Sequence, residues 1–373
     1  MSEVFNSEIQ TPSRFTLPRV SVVIPMYNTE KFVGECLDSL LAQTFQNFEV
    51  IVVDDCSTDS SCAIVESYAE KFGGRLKLAH LEKNSGSGAL PRNKGLKLSR
   101  GEYIFFMDAD DMLKPLALEE LYVLAKKFDA DIVYCEIYYA GNFATKKFQT
   151  VTWQKGGIEN EPTLEPKDLK ERVQRILDGK YWVTPWCKFV RRDLMMEHEI
   201  FFPQISIGED DIWTYGLVFY AENFLRLPDA VYFYRANEKG VWQKNKTPEE
   251  QIIFWTNPIL LALKTLDNLM GDLEFFQKNL RCRYAVLEKF ITSKILDPYI
   301  NKWHYLPPFE IYETIKKEFG AKFGEHDVLV CALCTYAMNL QKNYYESVQN
   351  FNRFAEQAQQ RITQLEAELA KKN

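Results

Sequence analysis

Predicted strands and helices alternate through the first 140 residues of this chain, and no other feature restricts the fold as strongly. Hydrophobic runs predict strands at residues 20–24, 48–53, 76–81, 103–107 and 130–137. Amphipathic segments between them predict helices. This alternation is typical of α/β proteins in which right-handed crossovers join parallel strands. We therefore expect an α/β fold built on a mostly parallel sheet.

The predicted helices begin at polar residues of the kind that cap helices. Asn28 or Thr29 is expected to start the first helix, and Thr58 or Asp59 the second. A third helix is predicted over residues 92–98, ending before Gly101 and the fourth strand.

Polar residues follow three of the predicted strands. If the strands wind as in Rossmann-like halves, the first strand lies beside the fourth. The ends of strands one, two and four then meet at one edge, where open α/β sheets bind ligands. These ends are residues 25–27, 54–55 and 108–110.

The stretch Asp108-Ala109-Asp110-Asp111 directly follows the fourth predicted strand. Two carboxylates separated by one residue can share a hard cation such as Mg²⁺ or Mn²⁺, which keeps other positions for substrate phosphates. The alternative is a solvated acidic turn that caps the next helix. The stretch thus indicates either a metal-bridged diphosphate site or a simple cap.

A second acidic cluster, Gly208-Glu209-Asp210-Asp211, lies further along the chain. Transfer to a hydroxyl from a diphosphate leaving group needs two acids with separate tasks. One holds the metal that neutralises the diphosphate, and the other takes a proton from the attacking hydroxyl. A second helix cap explains the cluster equally well.

Two further candidates lie near the same predicted edge. Asp54 and Asp55 could accept hydrogen bonds from a base imide or a ribose hydroxyl, or could cap a helix. Arg92 stands beside a Gly/Ser-rich loop and could pair with a diphosphate, since a guanidinium suits bidentate phosphate contact. The alternative for Arg92 is a surface position on a short helix.

Composition limits the class of protein. A chain of 373 residues has room for two domains, and its net charge of −7 argues against nucleic acid as a partner. No apolar run is long enough to span a bilayer, and the N-terminus lacks the apolar core of a signal peptide, so we expect a cytoplasmic protein.

The eight cysteines are expected to be reduced. Core packing explains the Cys331/Cys334 pair better than a zinc site.

The predicted domains are a flexible lead at residues 1–18, an α/β domain at 19–245, a helical domain at 246–343 and a terminal helix at 344–373. Apolar residues of that last helix recur at spacings of three and four: Val348, Phe351, Ala355, Ala358, Ile362, Leu365 and Leu369. Such a seam predicts a short coiled coil and a homo-oligomer. An amphipathic helix docked on its own domain is the alternative.

Ordered matches make the chain resemble the family 2 glycosyltransferases over roughly residues 19–240. The matching segments are residues 22–28, 37–45, 49–59, 91–96, 101–104, 108–111, 186–188, 208–210 and 234–235. The resemblance implies the GT-A fold and is nearest to bacterial enzymes that build capsules or lipopolysaccharide outer chains.

The resemblance also implies roles for particular residues. Asp210 would be the catalytic base, with Glu209 and Asp211 as rivals. Asp108 and Asp110 would bind Mn²⁺ or Mg²⁺, and Trp186 and Lys188 would line the acceptor or sugar side. The residues implied to contact the nucleotide are Pro25, Tyr27, Asn28, Asp54, Asp55, Arg92 and Asp108.

The implied reaction is an inverting transfer from a nucleotide diphosphate sugar, by family habit a UDP-sugar, to a hydroxyl of a glycan or lipid-linked acceptor. Peripheral contact with the inner face of a membrane is compatible with this. Two rivals stay open: a nucleotidyltransferase that makes a nucleotide sugar, and a non-catalytic scaffold assembled by its coiled coil. The loop after the first strand lacks the Gly, Arg and Lys expected of the former.

Overall fold

The computed structural model describes residues 17–143, 145–152, 161–235 and 247–298, and separate positions between 313 and 360. The described residues up to Arg235 form one compact unit with residues 261–289, and residues 247–260 belong to a second unit with those beyond 289. Most of the predicted flexible lead, the Cys331/Cys334 pair and most of the predicted coiled coil lie outside the described residues. The predicted domain boundaries stay predictions.

The α/β prediction is confirmed by a mixed sheet that has ten strands among the described residues, with helices between its strands. The strands are β1 (Val20–Met26), β2 (Phe48–Asp54), β3 (Leu76–His80), β4 (Tyr103–Phe106), β5 (Met112–Leu113), β6 (Ile132–Asn142), β7 (Lys147–Thr152), β8 (Thr163–Leu164), β9 (Lys188–Arg191) and β10 (Phe224–Arg235). The helices are α1 (Val33–Leu41), α2 (Ser61–Ser67), α3 (Ala89–Leu98), α4 (Ala117–Lys127), α5 (Leu169–Leu177), α6 (Arg192–Glu197), α7 (Glu209–Tyr220), α8 (Pro248–Gly271), α9 (Glu274–Lys278) and α10 (Leu280–Pro298).

The sheet runs in the order β3-β2-β1-β4-β9-β6-β10-β5, with β7 paired to β6 and β8 to β10. Its first four strands are parallel, and β1 lies between β2 and β4, as predicted. The strand β9 then pairs antiparallel with both β4 and β6. The carboxyl ends of β1, β2 and β4 therefore form one edge.

The starts of α1 and α2 were predicted wrongly. The helix α1 begins at Val33 rather than Asn28 or Thr29, and α2 begins at Ser61 rather than Thr58 or Asp59. The reason is that the polar residues before the two helices bond to each other. The loop after β1 donates from the backbone to Ser57, Ser61 and Asp59, and that after β2 donates back to Asn28 and Glu30.

The helix α3 packs directly on β1. A Cβ atom on Gly95 would lie 2.2 Å from Cγ1 of Val23, so only glycine permits this approach. The helix begins at Ala89, three residues earlier than predicted. Its close packing brings Arg92 to the edge where β1 and β4 end.

The C-terminal part of the described chain is helical, as predicted, with α8, α9 and α10 in succession. Among the residues that the structure describes, no helix is long and apolar enough to cross a membrane.

Candidate active site

The guanidinium of Arg92 joins two acidic residues that are far apart in sequence. Its Nη2 donates to Oδ1 of Asp108 at 3.0 Å, and its Nη1 lies 3.5 Å from Oδ1 of Asp210. Asp108 follows β4, Arg92 lies on α3 and Asp210 lies in the first turn of α7. The two acidic clusters singled out in the sequence therefore meet at one site.

The position of Arg92 is fixed on several sides. Its side chain is only 9% exposed and lies over the ring of Phe202, with 5.4 Å between Cζ and the ring centroid. The next residue, Asn93, exchanges two hydrogen bonds with the backbone of Phe202, at 2.7 and 2.9 Å. A Cβ atom on Gly88 would lie 2.4 Å from Nη1, so glycine leaves space for the guanidinium.

Asp210 has the properties of a base that works near neutral pH. Burial raises the pKa of its carboxyl, Arg92 lowers it and Asp108 raises it, with a result of about 6. The side chain is still 28% exposed, so a hydroxyl can reach it. A general base is most effective when its pKa lies near the working pH.

The rivals of Asp210 occupy the same helical turn. Burial and the charge of Asp210 raise the pKa of Glu209 to about 7. Asp211 is buried. The turn follows Gly208, whose φ of 87° lies in the left-handed region that favours glycine. Thus the cluster starts a helix, as the cap interpretation held, and also supplies a carboxylate to the site.

The residues after β4 have distinct environments. Burial and the charge of Asp108 raise the pKa of Asp110 to about 6. Asp108 and Asp110 are both partly exposed, whereas Asp111 is buried. Oδ2 of Asp111 accepts a 2.7 Å hydrogen bond from the hydroxyl of Tyr232, and its Oδ1 accepts one from the backbone of Arg235. Both carboxylate oxygens of Asp111 thus accept hydrogen bonds from within the protein, while Asp108 and Asp110 face the site.

This donor set suits a divalent cation. The carboxylates of Asp108 and Asp110 repel each other, and burial adds to the free energy of keeping both ionised. A cation between them would relieve both effects. Mg²⁺ is commonly held by one or two carboxylates together with substrate phosphates, and this pair matches that pattern.

Two residues on β10 hold the acidic stretch in place. The hydroxyl of Tyr232 accepts a hydrogen bond from the backbone N–H of Asp108 at 3.1 Å and donates to Asp111. Nε of Arg235 donates to the carbonyl of Asp110 at 2.7 Å. Sequence reasoning missed Tyr232, because a tyrosine in a predicted strand carries no signal of its partner. Arg235 was noticed only as part of a matching segment.

The loops after β1 and β2 form the other side of the edge. Asp55 is buried, and its two carboxylate oxygens accept hydrogen bonds from the backbone and hydroxyl of Ser85, at 2.8 and 2.9 Å. Pro25 is the penultimate residue of β1 at the same edge of the sheet, and Tyr27, which follows β1, is 49% exposed. Asn28 has a positive φ and bonds the loop of Thr58 through its side chain. Asp55, Pro25 and Tyr27 thus share the edge where the nucleotide was expected.

Asp54 differs from the other nucleotide candidates. Its carboxylate is buried, accepts a hydrogen bond from the backbone of Ser57 at 3.1 Å and lies 3.3 Å from Nδ1 of His80. The side chain therefore contacts the α2 and β3 side of the sheet end.

Trp186 and Lys188 are both buried. Trp186 stacks on Tyr232, with ring centroids 4.6 Å apart. The ammonium of Lys188 donates to the carbonyls of Trp182 and Thr184, at 2.6 and 2.8 Å, and burial lowers its pKa. Lys188 has no exposed surface. Its two hydrogen bonds stabilise the loop before β9, and its ammonium does not reach a position where a sugar could bind in this structure.

Comparisons with known proteins identify the family of this chain. The model of "Glycosyl transferase family 2" matches residues 21–198. The putative glycosyltransferase EpsH of Bacillus subtilis is 33% identical over 305 residues, which are 80% of this chain and 81% of EpsH. The chain belongs to glycosyltransferase family 2.

Two findings concern TarS of Staphylococcus aureus, a poly(ribitol-phosphate) β-N-acetylglucosaminyltransferase. It is 30% identical over 266 residues, which are 70% of this chain but only 42% of TarS. The crystal structure of TarS 1–349 with UDP-GlcNAc superposes with a TM-score of 0.62 at 24% identity, covering 88% of this chain and 92% of that one. This likeness shows that the family 2 glycosyltransferase has the GT-A fold.

The family match ends at residue 198, before the second acidic cluster. It covers Asp55, Arg92, Asp108 and Asp110. Asp210 lies beyond the match, and its carboxylate contacts Arg92, which lies within it.

Proposed function

We propose that this glycosyltransferase moves one sugar from a UDP-sugar to a hydroxyl of a glycan, with inversion at the anomeric carbon and with a divalent metal. The observation that carries the proposal is the contact of Arg92 with both Asp108 and Asp210. One guanidinium thus contacts both Asp108, a carboxylate proposed to hold the metal, and Asp210, the carboxylate proposed as the base. Attack of a hydroxyl on a carbon that bears a diphosphate requires carboxylates for both tasks at one site.

Asp210 would take the proton of the acceptor hydroxyl. The hydroxyl oxygen forms a bond to the anomeric carbon while the bond from that carbon to the diphosphate oxygen breaks. The nucleotide diphosphate leaves from the opposite face, so a single displacement inverts the centre. Asp210 is favoured over Glu209 and Asp211, its rivals in the same turn, because its carboxylate lies 3.5 Å from Nη1 of Arg92.

Asp108 and Asp110 would hold Mn²⁺ or Mg²⁺. When bound, the ion would neutralise charge on the departing diphosphate. Tyr232 and Arg235 support this role, because they fix the backbone of the acidic stretch. Arg92 would supply a fixed positive charge beside the same phosphates.

The choice of donor and acceptor is supported by the relatives. TarS was crystallised with UDP-GlcNAc, and its name gives poly(ribitol-phosphate) as the polymer that it modifies. We propose a UDP-sugar for this chain and a surface polysaccharide as its product. Pro25, Tyr27, Asn28 and Asp55 would form the nucleoside side, because they line the ends of β1 and β2.

Nucleotide binding tests the donor. Thermal shifts would be measured with UDP, GDP, CDP and dTDP, each with and without Mn²⁺. We expect a rise in Tm with UDP that grows with Mn²⁺, and loss of the Mn²⁺-dependent part in Asp110→Ala. No rise with any nucleotide would make the non-catalytic scaffold the leading interpretation.

Turnover tests the base. UDP release from UDP-GlcNAc should fall at least about 100-fold in Asp210→Asn, within the range typical of general bases, while UDP still binds. Asp193→Asn on α6 is the matched control, because Asp193 is an exposed carboxylate away from the site. Unchanged turnover in Asp210→Asn, together with a large loss in Glu209→Gln or Asp211→Asn, would move the base to that residue.

We also propose that the terminal helix joins copies of this chain. Phe351, one of the seam residues, is 70% exposed. Light scattering should give an oligomer for the full chain and a monomer for a chain ending at residue 343. A monomeric full chain would favour docking of the helix on its own domain. Cytoplasmic location and membrane contact stay predictions.

A further inference from the structure

Three residues of the kinds that bind metals, Asp54, Cys62 and His80, lie together where β2 and β3 end and α2 begins. Asp54 is the last residue of β2, His80 is the last residue of β3 and Cys62 lies in the first turn of α2. One ligand atom of each lies within 4.8 Å of the other two. The three come from separate elements, so the fold brings them together.

The distances suit a small ion. Oδ2 of Asp54 and Nδ1 of His80 are 3.3 Å apart. Bonds of about 2.0–2.3 Å from zinc to oxygen, nitrogen and sulfur place tetrahedral ligands between about 3 and 4 Å from one another. The cluster therefore needs only small side-chain movements to close around a metal.

We propose that Asp54, Cys62 and His80 form a binding site for Zn²⁺ or a similar soft divalent ion, distinct from the candidate site at Asp108 and Asp110. A thiolate, an imidazole and a carboxylate are the ligands that zinc selects, whereas Mg²⁺ and Mn²⁺ prefer oxygen. The ligand types thus separate this site from the acidic stretch after β4.

Access and charge also favour a cation here. Asp54 is buried, but the side chain of His80 is 53% exposed, so an ion and a water ligand can enter from solvent. Negative charge surrounds Cys62, since Asp54, Glu66 and Asp59 all act on its thiol. The thiol would release its proton to solvent when the ion binds.

The site lies next to the expected nucleoside side. Oδ1 of Asp54 accepts a hydrogen bond from the backbone of Ser57, and the hydroxyl of Ser57 accepts one from the backbone of Asn28. Asp55 follows Asp54 directly. A bound ion would therefore hold the ends of β2 and β3 and the start of α2 together beside the loop that carries Asn28.

Cobalt binding tests the proposal through a signal that does not depend on activity. Co²⁺ bound to a thiolate shows a sulfur-to-metal charge-transfer band in the near ultraviolet, and tetrahedral Co²⁺ shows intense visible bands. The full chain with Cys331→Ser and Cys334→Ser would be titrated, which removes the CxxC pair as a source of the band. We expect one equivalent of Co²⁺ to produce both signals, and Zn²⁺ but not excess Mg²⁺ to abolish them.

Variants in that background assign the ligands. The charge-transfer band should vanish in Cys62→Ser. Loss of a supporting partner of a metal ligand weakens binding about 10- to 100-fold, so His80→Ala should weaken Co²⁺ binding at least as much. Asp110→Ala should leave the band unchanged. The matched control is Cys282→Ser, since Cys282 is a partly exposed free cysteine on α10.

Several results would overturn the proposal. These are the absence of the band in the folded background protein, its persistence in Cys62→Ser, or its loss in Cys282→Ser. Circular dichroism checks that each variant is folded. As a second measurement, Zn²⁺ should raise the Tm of the background protein but not that of Cys62→Ser, because only a ligand of the folded state stabilises it.

Discussion

Removing the charge of Arg92 should shift the pH dependence of the reaction. At the 3.5 Å between Nη1 of Arg92 and Oδ1 of Asp210, Coulomb's law gives about 5 kcal/mol at an effective dielectric constant of about 20 and about 1 kcal/mol in water. Because Asp210 is 28% exposed, we expect the lower part of this range, about 1.4 kcal/mol, which corresponds to one pKa unit.

The sign follows from the charge. Arg92 lowers the pKa of Asp210, so Arg92→Ala raises it from about 6 to about 7 by the same one-unit estimate. Asp210, the proposed base, then stays protonated at higher pH. The acidic limb of kcat/KM for UDP release should move up by about one pH unit, with an activity loss about fivefold greater at pH 6 than at pH 8.

Two further variants separate charge from geometry. Arg92→Lys keeps a positive charge and should leave the acidic limb nearer to its original position. Gly88→Ala keeps the arginine but would place a Cβ atom 2.4 Å from Nη1. This displaces the guanidinium, so the acidic limb of kcat/KM should also move to higher pH. An acidic limb that stays in place in Arg92→Ala, with the same fractional loss at every pH, would refute the coupling of Arg92 to Asp210.

Three other predictions concern the support of the site. Tyr232→Phe removes a donor from buried Asp111, so it should cost about 1–3 kcal/mol in urea unfolding and raise the Mn²⁺ concentration needed for half-maximal turnover. Gly95→Ala would place a Cβ atom 2.2 Å from Cγ1 of Val23, and it should lower stability by about 1–3 kcal/mol in the same assay. The pKa of Asp210 is raised on folding, so its ionised form opposes folding above the unfolded pKa; Asp210→Asn should raise Tm at pH 8 and not at pH 3.

The parts of the fold that depend on local pattern could be predicted from the sequence. The strands β1, β2 and β4 are short, mainly apolar runs followed by polar residues, and the order of the first four strands follows from the winding of parallel strands. The helix starts were predicted wrongly, because Asn28 and Asp59 also accept hydrogen bonds across the two loops, from the backbones of Thr58 and Glu30. The strand β9 was not predicted, since four residues in an aromatic and basic segment carry no clear period.

In the candidate site, too, residues marked by a local pattern could be predicted, whereas contacts between distant segments could not. Asp108, Asp110 and Asp55 were found because they follow predicted strands. The contact between Arg92 and Asp210 spans 118 residues, and no sequence pattern encodes it. The burial of Lys188 was missed for a similar reason, since its partners are backbone carbonyls of a loop that only the folded chain brings near.

The proposed donor side and Asp210, the proposed base, are connected by more than Arg92. The neighbouring Asn93 exchanges two hydrogen bonds with the backbone of Phe202, six residues before Gly208. The helix α3, which packs on β1, therefore fixes the segment that leads into α7 and its carboxylates. Because Asp210, the proposed base, is anchored to the parallel half of the sheet in this way, a change of acceptor need not disturb it. We accordingly expect the determinants of acceptor choice to lie outside α3, α7 and the Asn93–Phe202 contact.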